Sequence, residues 1–84
     1  MTVHTHEFVE TYQGLAAFGL DRATDEDTVI YMLQKFTDDR LMQVLVKRMS
    51  DEELEEAYSY VTRLLKTHLA DHEYHELFLK EAHP

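Results

Sequence analysis

The sequence has no cysteine, two glycines and one proline, and it is short of basic residues. Without thiols, disulfide frameworks, thiolate zinc sites, iron–sulfur clusters and cysteine nucleophiles are excluded, and a reducing compartment is the natural home. With Gly14 and Gly19 as the only glycines, no glycine-rich phosphate loop can be built. The single proline is Pro84, so no imino acid interrupts a helix anywhere before it. No apolar run approaches the roughly 20 residues of a membrane span, and residues 1–10 lack the basic and apolar regions of a signal peptide. A cytoplasmic protein with no membrane contact is expected. Eight basic residues against seventeen acids leave a formal charge of −9, which opposes direct binding to nucleic acid and allows a basic protein partner.

What is present suits one small helical body. The 84 residues are 44% hydrophobic and include five tyrosines, four phenylalanines and four methionines, enough bulk for a core without a structural metal. A chain of this size buries only about 60% of its unfolded surface, so its stability is modest or shared with a partner. The expectation is a single acidic helical domain over 1–84, all-α. Its architecture is a small bundle of four or five helices, with three short capped helices packed on a long C-terminal one.

Along the chain, residues 1–4 read as a frayed end. A first helix then starts at Thr5 or His6, carries Phe8, Tyr12 and Leu15 on one face, and stops at Gly19. Thr24, Thr37 and Ser50 stand thirteen residues apart, each ahead of acids that suit a helix N-terminus. Between these caps lie two short amphipathic segments, one with Val29, Ile30, Met32, Leu33 and Phe36, the other with Leu41, Met42, Leu45, Val46 and Met49. After Ser50 a single helix over 51–82, about 32 residues and about 48 Å long, is the simplest reading. The alternative is a break at 69–71 with Asp71 capping a separate last helix.

On that last segment Leu54, Tyr58, Val61, Leu65, His68, His72, His75 and Leu79 advance by fours and threes, forming one stripe. Its three histidines fall within about 60° of one another on a continuous helix. Imidazoles at this spacing can converge on one transition-metal ion, with Glu76 at the margin, and Zn or Ni would suit them. His4 and His6 are a weaker second pair. The pattern is neither HExxH, since Leu69 stands where its glutamate belongs, nor Glu-x-x-His, since His72 precedes His75 by three. Isolated histidine pairs here resemble the histidine-rich helices of hemerythrin-type proteins, whose bundle is longer than this chain.

The stripe is longer than the rest of the chain can cover. The leading expectation is therefore a non-enzymatic protein-interaction module, an adaptor, small chaperone or inhibitor that works as a homodimer and requires no cofactor. Its expected interaction residues are Leu65, Leu69, Tyr74, Phe78 and Leu79. The alternative is a metal-binding protein using His68, His72, His75 and Glu76. Burial of the histidines would depress their pKa values and cost stability below about pH 6.5, whereas carboxylates beside exposed ones would raise them.

Overall fold

The computed structural model describes residues 6–81. The frayed end, the start at Thr5, His4 of the second histidine pair and the helix end at residue 82 lie outside these residues. The protein is all-α, with no strand among the described residues. It divides into two units, Met1–Lys47 and Arg48–Pro84.

In the first unit, α1 is a single turn, Phe8–Thr11, and not a helix reaching Gly19. Tyr12 leaves the helix in an extended conformation, and the chain stays irregular until Asp21. The cause lies in where the polar groups go. The Tyr12 hydroxyl donates to the Leu15 carbonyl at 2.8 Å, and the Gly19 N–H donates to Asp25 Oδ1 at 2.7 Å. The Thr28 hydroxyl donates to the Ala17 carbonyl at 2.9 Å and accepts from the Ala17 N–H at 3.2 Å. Side chains thus satisfy backbone groups that a longer helix would have paired internally. Gly19 does adopt the left-handed region, φ 98°, but at a turn before α2 and not as a helix cap.

Helix α2 is Arg22–Phe36, and its cap is Asp21, one turn earlier than Thr24. Asp21 Oδ1 accepts the Thr24 N–H at 2.8 Å, so Thr24 is the residue being capped, and this bond holds the Asp21 carboxyl below the usual carboxylate range. Helix α3, Asp39–Arg48, repeats the substitution. The Asp38 carboxylate accepts from the Arg40 and Leu41 N–H groups at 3.2 and 3.4 Å. The Thr37 hydroxyl turns back to the Leu33 carbonyl at 2.8 Å. With its one proton committed there, Thr37 can only accept from His6, whose Nε2 at 2.8 Å therefore carries the hydrogen. Helix α1 lies on α2 through the Val9 N–H to Gln34 Oε1 bond of 2.9 Å and a line of rings, Phe8, Tyr12 and Tyr31, with Lys35 over Tyr31.

The second unit opens as the sequence suggests. Ser50 and Glu53 form a reciprocal capping box, Glu53 N–H to Ser50 Oγ at 3.1 Å and Ser50 N–H to Glu53 Oε1 at 2.9 Å. Helix α4 runs Asp51–His68 and is the longest in the chain, so the long helix lies mid-chain and not at the C-terminus. Leu69 and Ala70 are extended, and a last helical segment follows: one α turn, Asp71–Glu73 (α5), passing into a π turn, Tyr74–Phe78. Asp71 is the first residue of this segment and not its cap. The signal that restarts the helix is the Glu73 carboxylate, which accepts from the Ala70 N–H at 2.8 Å and supplies half of a capping box.

Among the described residues neither unit has a conventional core: no apolar side chain is buried, and the one buried residue is Thr28, at 6% exposure.

Thr28→Val keeps the shape at this position and strands both backbone groups of Ala17, so it should destabilise the first unit by about 1–3 kcal/mol in urea unfolding. Ser50→Ala should cost about 1 kcal/mol and lower helicity by circular dichroism, whereas Thr37→Ala should leave the start of α3 intact because Asp38 caps it.

Candidate functional site

The second unit carries a half-open groove of about 870 Å³ between α4 and the segment that follows it. Its floor comes from one face of α4, where Ala57 or Tyr58, Val61 and Leu65 follow at steps of three or four. The extended pair at 69–70 turns the chain, so that Leu69, Tyr74 and Phe78 make the opposite wall. Tyr74 and Phe78 stack with centroids 5.3 Å apart, which presents one continuous ring surface. Lys66 and Asp71 are the charged residues in the lining. An apolar interior with a few polar groups at its edge can bind a helix or an apolar ligand.

Four of the expected interaction residues, Leu65, Leu69, Tyr74 and Phe78, are thus brought together in one lining. Leu79 follows the π turn, 39% exposed and outside the lining. Upstream on the same helix Leu54, Tyr58 and Val61 are 41%, 75% and 50% exposed, so the apolar stripe is open along α4.

The histidines are separated by the same turn. His68 is the last residue of α4 and His72 lies in α5, both exposed, and the extended pair between them ends the continuous-helix spacing. His75 and Glu76 sit in the π turn. His75 is half-buried against Tyr74, with Nδ1 2.7 Å from Glu81 Oε1 and Nε2 3.7 Å from Asp71 Oδ1. Among the described residues no group of three histidine, cysteine, aspartate or glutamate side chains is arranged to hold a metal ion. No helical spacing in the sequence pairs His75 with Glu81. The backbone brings them together by taking Lys80 into the left-handed region, φ 60°, and by closing the Glu81 N–H on the His75 carbonyl at 3.0 Å.

The hydrogen bond that His75 donates to the Glu81 carboxylate, aided by the charges of Glu81 and Asp71, raises the His75 pKa above its ordinary value, against a smaller opposing effect of desolvation. For this residue the carboxylate effect outweighs burial. No family model matches the chain, and searches of the curated proteins and of the solved structures found no match.

A folded-state pKa above the unfolded value of about 6.5 means that the His75–Glu81 contact stabilises fully below that pH. The contribution is lost as pH rises through the raised folded value. By proton NMR, His75 should titrate above the unfolded value and Glu81→Gln should return it toward about 6.5, while amides of the last helical segment should show larger protection factors, relative to their intrinsic exchange rates, at pH 6 than at pH 8.

Proposed function

We propose that the protein is a non-enzymatic helical interaction module, an adaptor, small chaperone or inhibitor, that acts in the cytoplasm through the apolar face of α4 as a homodimer. The observation that carries this reading is the missing core. Among the described residues nothing apolar is buried, and large apolar side chains such as Tyr58 and Val61 stand half or more exposed along one helical face. Fully burying a side chain of this kind contributes about 1.5–3 kcal/mol, and a monomer with this stripe uncovered forgoes that stabilisation at each position. A patch of this character on a small protein serves association. The charge of −9 favours a basic macromolecular partner for the assembled module.

Light scattering at micromolar concentration should give about twice the 10.0 kDa chain mass. Val61→Asp, which places a charge in the middle of the stripe, should give a monomer of reduced helicity. A wild-type chain that is monomeric under these conditions overturns the reading.

A further inference from the structure

We infer that the groove and stripe of α4 are occupied by α4 of a second copy, running antiparallel, with Leu54 opposite the partner's Leu65 and Tyr58 opposite the partner's Val61. This rests on the dimer proposed above and specifies its geometry.

Three features of α4 converge on it. The first is the symmetry of the stripe. Leu54 and Leu65 lie equally far from a point between Ser59 and Tyr60, and so do Tyr58 and Val61. An antiparallel pair centred at that point sets the four apolar residues of one helix level with the four of the other, in one isologous contact closed by a two-fold axis.

The second is the distribution of charge. Asp51, Glu52, Glu53, Glu55 and Glu56 take five of the first six positions of α4, and Arg63, Lys66 and His68 fall in the last six. A parallel pair would hold the two acidic ends side by side at an interaxial distance of about 8–10 Å. The antiparallel pair sets each acidic end against a basic one.

The third is that the charges near the seam match residue by residue. At about 100° per residue, Lys66, Asp51 and Glu55 fall on the same flank of the stripe, while Arg63 points to the back, where it lies over the Tyr60 ring at 5.1 Å. A two-fold axis across the helix pair keeps like flanks together. In the stated register Lys66 comes level with the partner's Glu53, between the partner's Asp51 and the partner's Glu55, each about 3 Å away along the axis. Among the described residues Lys66, Asp51 and Glu55 have no ion-pair partner within their own chain, and Lys66 lines the groove. The partner's Leu54, level with Leu65, enters the groove beside Leu69, Tyr74 and Phe78.

Because the chain has no cysteine, Leu54→Cys and Leu65→Cys each introduce a unique thiol. Under mild oxidation a mixture of the two full-length variants should crosslink, and Leu54→Cys alone should not. Two copies of residue 54 would lie eleven residues apart along the antiparallel pair, about 16 Å, too far for a disulfide. A charge swap gives a second readout that leaves the apolar seam untouched. Lys66→Glu, and separately Asp51→Lys with Glu55→Lys, should each weaken self-association about tenfold, and the equimolar mixture should recover it as a heterodimer whose facing charges are again opposite. Disulfide formation by Leu54→Cys with itself, or a mixture no tighter than either charge variant, overturns the antiparallel register while leaving a dimer standing. A monomeric wild-type chain overturns the dimer and this register with it.

Discussion

Hydrogen bonds between side chains and backbone start the helices and tie down the irregular segment, while among the described residues no apolar side chain is buried. Asp21 caps α2, Asp38 caps α3, Ser50 and Glu53 cap α4, and Thr28 ties the irregular segment down through both polar groups of Ala17. Each such interaction contributes about 1 kcal/mol, whereas fixing one residue's backbone costs about 1–2 kcal/mol. A handful of caps cannot offset the ordering of three helices of ten to eighteen residues. The missing stabilisation has to come from apolar area, which the chain possesses and leaves exposed. On the proposed reading, folding and association become one process, because the second copy supplies what a core supplies elsewhere.

The sequence was legible where a single local rule decides the outcome. Ser50 followed three residues later by Glu53 is a complete capping box, and α4 begins there. At Thr24 and Thr37 the same rule picked the hydroxyl over the neighbouring aspartate. Asp21 and Asp38 are as good as caps, and in both cases the threonine hydroxyl bonds elsewhere: Thr24 to Asp21 itself, Thr37 to Leu33. The short first helix was not legible, since its end depends on the tertiary bonds from Ala17 to Thr28 and from Gly19 to Asp25, between residues six to eleven apart. The end of α4 was legible only as the alternative, the break at 69–71, and with the wrong cap. No glycine or proline marks residues 69–70, and the restart rests on Glu73, an acid that fits a continuous helix equally well.

That turn also governs how far the site could be foreseen. On a straight helix Leu65 and Leu69 would face away from Tyr74 and Phe78, about 180° apart at 100° per residue, and the turn at 69–70 is what brings both pairs into one groove lining. For the histidines the same turn has the opposite effect. Convergence on a metal needs fixed distances, and an extended pair of residues between His68 and His72 replaces the helical rise on which their spacing relied.

On the proposed antiparallel reading, the placement of charge on α4 reconciles an acidic chain with self-association. Two copies carrying −9 each repel, but charges separated by more than about 8 Å are largely screened at physiological ionic strength. What remains is the arrangement near the seam, where the end-to-end polarity of α4 makes one relative direction favourable and the other repulsive. The acids of its first turns also sit at the positive end of the helix dipole, and Lys66 and His68 at the negative end, so the distribution that starts and stops the helix is the one that orients a partner beside it. An isologous pair uses the stripe completely on both copies. In the proposed dimer the net negative charge then acts on a third copy, which meets the general repulsion without an open seam to offset it.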